Sequence, residues 1–156
     1  MYSLLTFFQK SYVKWQIQHL KSSLKQCGQN VKFYLPIAIE GAFGVSIGNN
    51  VAIAPFLHIW GQGGVSIGNN TIIASHVAIS SLTHDPDAIQ VDKTLISKSI
   101  VIGNNVWIGS HAVIMPGIKI GDGAVIGSGS IVTKDVPENA LIMGIPGRII
   151  RYSKTN

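Results

Sequence analysis

Charged residues are scarce in this chain: aspartate, glutamate, lysine and arginine account for 12% of its 156 residues, about half the usual share in soluble proteins. An internal disulfide is excluded because Cys27 is the single cysteine, and a lone cysteine fits a reducing compartment. No apolar run approaches the length of a membrane span, and no small-residue cleavage site follows one. We therefore expect one domain of ordinary size, located in the cytoplasm.

Positive charge is concentrated at the two ends of the chain. The formal net charge is +5, yet no lysine or arginine occurs between Lys32 and Lys93. A basic C-terminal part suits a small polyanionic ligand. Nucleic acid is not expected as a partner, because aromatic and basic residues are not interleaved as a stacking platform requires.

The dominant feature of the sequence is a six-residue repeat, in which isoleucine or valine leads twelve hexads. The leading residues are Ile47, Ile53, Ile59, Ile67, Ile73, Ile79, Ile102, Ile108, Ile114, Ile120, Ile126 and Val132. A β-branched residue at a fixed even spacing along an extended chain always points to the same side. These positions are predicted to form the wall of a hydrophobic core.

Every third hexad lacks the small residue that otherwise follows its leading residue, so the true repeating unit is eighteen residues. Each unit begins with Ile-Gly followed by Asn or Asp, which suit the left-handed backbone of a tight corner. Three flat sides and three corners describe one coil of a parallel β-helix, and four stacked coils would form the core. An antiparallel sandwich is the competing interpretation, but its turns do not keep a strict period of six.

Residues 3–25 have a different pattern, typical of an amphipathic helix beside a stripe of lysines, and Gly28 is placed to end it. The apolar positions at helical spacing are Val13, Ile17, Leu20 and Leu24. One predicted use of this helix is a cap across the open end of the coil, which would otherwise expose a sheet edge. The other is peripheral contact with the inner face of a membrane. The aromatic residues that would serve this contact are Phe7, Phe8, Tyr12 and Trp15.

Two insertions interrupt the repeat at the same corner, each after the third hexad of a coil. The longer insertion, from about Asp85 to Val101, is polar and is predicted to be a protruding loop. His84 comes immediately before it, in the sixth place of its hexad, where the side chain should face outward. Because histidine titrates near neutrality, an outward histidine at the mouth of a loop is a candidate general base.

A family resemblance is carried by THDPD at 83–87, by IGNNVWIGSHAVIMPGIKIGDGAVIGSGSIVTKDVP at 102–137 and by GIPGRIIR at 144–151. These stretches resemble the hexapeptide-repeat acyltransferases, in the branch that contains the maltose and galactoside O-acetyltransferases and the capsule, O-antigen and exopolysaccharide acetyltransferases. The resemblance covers about residues 44–151. It implies a left-handed β-helix, an exception to the usual handedness of parallel crossovers, and a homotrimer with active sites between subunits.

The resemblance also implies a chemistry. His84 matches the general base that takes a proton from an acceptor hydroxyl as the hydroxyl attacks the thioester of acetyl-CoA, with no acyl-enzyme and no metal. The backbone N–H of Ser110 matches the group that holds the oxyanion. Positions that match cofactor-binding residues are Trp107, Ser110, Ser128, Thr133, Lys134, Arg148 and Arg151. The basic side chains among them suit the phosphate oxygens of the nucleotide.

The expected acceptor is a saccharide or sugar nucleotide, with a hydroxyl of a surface polysaccharide or its precursor as the target. Candidate acceptor-binding residues are Asp85, Asp87, Phe56 and Trp60. The two aspartates are also candidates to orient His84, although Asp85 equally suits the start of a turn that Pro86 continues. The two aromatic side chains could stack on a sugar ring and equally suit burial at a subunit seam. The cleft asparagine of the galactoside and maltose branch has no counterpart in residues 54–58, which argues against those two sugars. An amine of a nucleotide-linked amino sugar is the alternative acceptor, and the sequence leaves both open.

The histidines raise a further alternative, the γ-type carbonic anhydrases that share this coil and bind zinc through three histidines across a subunit interface. The available histidines are His58, His76, His84 and His111. His76 and His111 are fourth in their hexads, whereas His58 and His84 are sixth, so the two pairs should point from different corners. We therefore expect no metal site.

Taken together, these patterns predict an all-β fold class, a left-handed parallel β-helix of hexapeptide repeats with an N-terminal α-helix and a protruding loop at about 85–101. Three segments are expected. They are an amphipathic helical region at 1–30, the repeat domain at 31–137 and a C-terminal tail at 138–156.

Overall fold

The structure, a computed structural model, describes residues 2–153, with side chains described from residue 8 onward. The predicted membrane-contact residue Phe7 therefore has a side chain outside the described part. One α-helix, Tyr2–Ser23, precedes short strands that wind into a three-sided parallel coil. The chain ends in an antiparallel pair of strands.

Each side of the coil is a parallel sheet to which successive coils contribute one short strand. The first face contains Gln26–Cys27, Val45–Ile47, Val65–Ile67, Ile100–Ile102 and Lys119–Ile120. The second face contains Lys32–Phe33, Ala52–Ile53, Ile72–Ile73, Trp107–Ile108, Val125–Ile126 and Ala140–Met143, with Arg148–Tyr152 added antiparallel. The third face contains Ala38–Glu40, His58–Trp60, Ala78–Ser80, Val113–Ile114 and Ile131–Val132.

The described part of the chain forms five complete coils where the sequence predicted four. The leading positions of the additional first coil are Cys27, Phe33 and Ile39, which pair with Ile47, Ile53 and Ile59. Cys27 and Phe33 are not β-branched, so a repeat that is defined by isoleucine and valine does not include this coil. The strand Ala140–Met143 begins a sixth turn on the second face, and the coil thus extends past both limits of the predicted range 31–137.

The core is the column of leading residues inside the coil. All twelve predicted wall residues are buried, none more than 3% exposed. Parallel register places each one over its equivalent in the next coil, as Ile73, Ile108 and Ile126 show on the second face. Full burial of such a side chain contributes about 1.5–3 kcal/mol, so the stacked columns hold the coils together.

The α-helix covers the open end of the first coil with its C-terminal half. Ile17 and Leu20 pack against the core, and Leu24, just beyond the helix, is buried. No helix among the described residues is both long and apolar enough to cross a membrane. Because the helix ends at Ser23, the prediction that Gly28 ends it is wrong. Gly28 instead lies in the first corner, where a Cβ atom would collide with the backbone of Gly48.

A ladder of side-chain hydrogen bonds runs along the edge between the first and second faces. Oδ1 of Asn69 accepts the N–H of Asn49 at 2.8 Å, and Asn104 does the same for Asn69 at 2.8 Å. The ladder ends at Asp122, which accepts the backbone and the side-chain N–H of Asn104. These two bonds lower the pKa of Asp122, because they favour its charged form. The predicted asparagine corner is thus a continuous ladder.

The predicted loop from Asp85 to Val101 is largely a hairpin. Leu82–His84 pairs antiparallel with Leu95–Ser97, and His84 is opposite Leu95. A short 3-10 helix, Val91–Lys93, lies at the tip, and the chain rejoins the first face at Ile100. His84 is therefore the last residue of a strand, with a backbone fixed by cross-strand pairing.

Replacing Ile114 by alanine tests the inward register. Ile114 is fully buried between Ile79 and Val132, so we expect a loss of about 2–5 kcal/mol in the free energy of unfolding, measured by denaturant titration. Val101→Ala is the matched control, because Val101 points outward on the first face and is 42% exposed. A loss at Ile114 no larger than at Val101 would contradict the register.

Candidate active site

His84 lines a pocket of about 280 Å³ at the edge between the third and first faces, here called edge 3/1. The other lining residues are Trp60, Ser80, Leu82, Thr83 and Leu95. Trp60 and Ser80 are paired neighbours on the third face, and the hairpin supplies the remainder. The pocket thus has mainly aromatic and aliphatic walls, and the imidazole of His84 lines it as well.

A backbone carbonyl sets the orientation and tautomer of His84. Its Nδ1 lies 2.7 Å from the carbonyl oxygen of Val91 at the tip of the hairpin. Because a carbonyl can only accept, Nδ1 carries the proton, and the lone pair of the neutral imidazole is on Nε2. Nε2 is therefore the atom that can take a proton from a bound hydroxyl.

The acidic residues beside His84 form a turn. Oδ1 of Asp85 accepts the backbone N–H of Asp87 at 3.0 Å, and the N–H of Asp85 donates to the carbonyl of Thr94. The orienting partner of His84 is thus a main-chain group of Val91 instead of a carboxylate. Sequence reasoning missed it, because a backbone carbonyl has no residue signature.

A second pocket, of about 420 Å³, lies on edge 3/1 at the C-terminal end of the coil. Thr133, Lys134 and Arg148 line it together, although Arg148 comes from the final antiparallel strand. The register Ile79 to Ile114 to Val132 puts this pocket two coils beyond His84, roughly 10 Å along the axis at about 4.8 Å per coil. Arg151 is on the same final strand, opposite Leu141. His84, Lys134 and Arg148 therefore share one edge, whereas Arg151 does not line the pocket.

The remaining predicted cofactor residues lie on other surfaces of the chain. Trp107 is on the second face, half exposed between Ile72 and Val125. Ser110 and Ser128 are at the edge between the second and third faces, here called edge 2/3, where the N–H of Gly129 donates to the carbonyl of Ser110. That bond is 2.8 Å long. The third face separates edge 2/3 from edge 3/1, so one chain does not bring these residues to His84.

A column of stacked rings marks edge 2/3. The rings of Phe56, His76 and His111 follow one another with centroid separations of 4.6 and 4.7 Å, all on left-handed backbone. Phe56 is therefore on the side of Ser110, whereas Trp60, the other predicted aromatic contact, is in the His84 pocket.

Outside the α-helix, which carries His19, the four other histidines are distributed over three sites on the surface. His76 and His111 stack at edge 2/3, His58 is on the third face and His84 is on the hairpin. Among the side chains that the structure describes, no group of three or more His, Cys, Asp and Glu residues is placed to hold a metal ion.

Comparison with known proteins shows that the repeat matches a family model and that the chain is similar to known enzymes. Residues 99–134 match the family model described as bacterial transferase hexapeptide (six repeats). Galactoside O-acetyltransferase of Escherichia coli K12 is 41% identical over 126 residues, which cover 80% of this chain and 52% of that protein. The same strain has a second similar protein, which carries a provisional assignment as an O-acetyl transferase of lipopolysaccharide biosynthesis. It is 36% identical over 123 residues, which cover 70% of this chain and 63% of that protein.

A solved structure shows the same architecture. A galactoside acetyltransferase in complex with coenzyme A superposes with a TM-score of 0.83 at 39% identity, covering 90% of this chain and 70% of that one. The predicted left-handed parallel β-helix is thereby confirmed as the fold class. The chain spans between about half and two thirds of the length of the two curated relatives, at 52% and 63%.

Proposed function

This chain belongs to the hexapeptide-repeat acetyltransferases, and on that premise we propose that it transfers the acetyl group of acetyl-CoA to a hydroxyl of a saccharide. The observation that carries the proposal is the hydrogen bonding and placement of His84. Its Nδ1 is held by the Val91 carbonyl, which leaves Nε2 free beside a pocket of ring-sized volume. A surface polysaccharide or its sugar precursor is the acceptor class that we propose.

The proposed reaction is direct transfer. Nε2 of His84 takes the proton of the acceptor hydroxyl as its oxygen bonds to the thioester carbon of acetyl-CoA. The negative charge that develops on the carbonyl oxygen is held by the N–H of Ser110. Collapse of this intermediate breaks the carbon–sulfur bond, and the thiolate of CoA leaves with the proton from Nε2. The products are an O-acetyl ester and free CoA.

The availability of the Ser110 N–H supports its role. Among the hydrogen bonds of the described residues, none uses this N–H, whereas the neighbouring N–H of Gly109 donates to the carbonyl of Ile126 at 2.7 Å. A free donor at an edge suits a site where charge develops on a bound ligand.

We propose that neighbouring copies in a homotrimer complete the site, because its parts lie on different edges of one chain. Edge 3/1 of one copy would supply His84 and the basic pocket, and edge 2/3 of the next would supply Ser110 and Ser128. Exposed apolar side chains support this contact, since such patches mark protein interfaces. Ile72 and Trp107 are each 53% exposed on the second face, and Ile89 at the hairpin tip is fully exposed.

The acceptor atom is the finer part of the proposal. An amine of a nucleotide-linked amino sugar is the alternative to a hydroxyl. Thiol release from acetyl-CoA against a panel of oligosaccharides, nucleotide sugars and nucleotide amino sugars, with mass analysis of the product, separates an ester from an amide. Amide formation with amino sugars alone would replace the hydroxyl by the amine.

We also propose a cytoplasmic location, which acetyl-CoA as donor and a lone cysteine both suit. Peripheral membrane contact through the helix is supported by the exposed stripe of Phe8, Tyr12 and Trp15. The lysine stripe of Lys10 and Lys14 lies roughly 150° around the helix, at 3.6 residues per turn, so both stripes would not face one bilayer. Co-sedimentation with neutral and anionic vesicles tests whether either stripe binds.

Replacing His84 by alanine tests the general base. We expect turnover to fall by about 10² to 10⁴ while thermal unfolding is unchanged, because His84 is exposed and its removal affects proton transfer. His19→Ala is the control, a second exposed histidine, located on the helix. A His84 variant that keeps wild-type turnover would refute the assignment.

Replacing Lys134 and Arg148 by alanine tests the basic pocket. We expect the KM for acetyl-CoA to rise at least tenfold and kcat to change less, because these charges bind phosphates away from the reacting carbon. Initial rates at varied acetyl-CoA measure both constants, and Lys93→Ala on the hairpin is the charge-matched control. An unchanged KM would place the phosphates elsewhere.

A further inference from the structure

Three side chains are in contact one after another, from an exposed carboxylate to an indole that lines the His84 pocket. The His58 ring stacks on the Trp60 indole, with centroids 3.6 Å apart and planes at 26°. Nε2 of His58 lies 3.4 Å from Oε1 of Glu40. Trp60 itself lines the pocket that His84 opens onto. The order is therefore Glu40, His58, Trp60 and pocket.

The strand register explains why this arrangement is possible. Glu40 pairs with Trp60 in the neighbouring coil, and His58 and Trp60 share the outward side of one strand. Alanines flank His58 on both sides, Ala38 in the preceding coil and Ala78 in the next. These small neighbours leave the imidazole room to lie over the indole. Ser80, which pairs with Trp60, leaves the same room for the indole.

The contact with Glu40 gives His58 its polar partner. Nε2 of His58 is shielded from solvent and makes no hydrogen bond of good geometry within the described residues, so the Glu40 carboxylate is its electrostatic partner. The imidazole lies between this carboxylate and the indole, and its stacking on the indole is an offset aromatic contact. His58 therefore covers one face of the indole and leaves the other for a ligand.

We propose that Glu40 and His58 are positioning residues that hold Trp60 as the stacking wall of the acceptor subsite, and that this subsite receives an uncharged ring with an apolar face. The inference rests on the proposed transferase function. None of the described residues that line the pocket carries a carboxylate, lysine or arginine. A phosphate or an ammonium group bound there would lack a fixed counter-charge, whereas the carbon–hydrogen face of a neutral sugar ring suits an indole.

Kinetics of the acceptor provide the first test. We expect His58→Ala to raise the KM for the acceptor about three- to tenfold, the worth of one aromatic contact, while kcat and the KM for acetyl-CoA stay within about twofold. Glu40→Gln should act in the same direction with a smaller effect, and His58→Phe, which retains a stacked ring, should restore most of the loss. His19→Ala is the matched control, because it removes another histidine stacked on a tryptophan, Trp15. An acceptor KM equal to that of the wild type in His58→Ala would overturn the positioning role.

Fluorescence of Trp60 provides a readout that needs no turnover. Replacing Trp15 and Trp107 by phenylalanine leaves Trp60 as the single tryptophan of the chain. The His58 ring covers one face of the indole, so His58→Ala should change the emission of Trp60 in this background. His84→Ala is the control, because it removes another imidazole that lines the same pocket, and it should change the emission less. Emission in His58→Ala equal to that of the parent would overturn the contact.

Ligand binding separates failure of this inference from failure of the proposed function. If the wild type released no thiol with any acceptor, the transferase proposal would fail. Titration of Trp60 emission with a neutral methyl glycoside, a nucleotide sugar and an amino sugar would still decide the subsite. We expect the neutral glycoside to change the emission at the lowest concentration. Preference for either charged ligand would overturn the proposed ligand class.

Discussion

The structure depends on one constraint, the burial of a leading apolar residue at every sixth position with each coil in parallel register over the last. Ile73, Ile108 and Ile126 illustrate it, since each is buried directly beside its equivalent in the next coil. Because the coils stack in this register, the residues at each of the remaining hexad positions also line up in columns. Residues far apart in sequence, such as Trp60 and Thr133, are thereby brought to the same edge.

This alignment orders the proposed site along edge 3/1. Trp60 and its positioning pair come first, then His84 on the hairpin, then Thr133 and Lys134, and finally Arg148. The order runs from an uncharged aromatic wall to a basic pocket, which suits a neutral acceptor at one end and phosphates at the other. The atom that we propose for proton transfer, Nε2 of His84, lies between the two ends.

The repeat made the core predictable, because a period of six needs no knowledge of distant contacts. The repeat does not predict the first coil, because Cys27 and Phe33 occupy leading positions that isoleucine occupies in the next coil. The sequence predicts a loop where the structure has a hairpin, because the pairing of Leu82–His84 with Leu95–Ser97 depends on tertiary position more than on pattern. His84 was found from its place beside the insertion, but the Val91 carbonyl and the His58 stack could not be read from residue types.

The central claim is that the site is assembled from edge 3/1 of one copy and edge 2/3 of another. Mixing two inactive variants tests it most directly: His84→Ala, which removes the base, and Ser128→Trp, which fills edge 2/3 at an exposed position. After the subunits are exchanged, about a quarter of the interfaces in a closed ring should pair an intact His84 with an intact Ser128, and activity should recover to about that fraction. A mixture no more active than its separate components would show that each chain holds its own complete site.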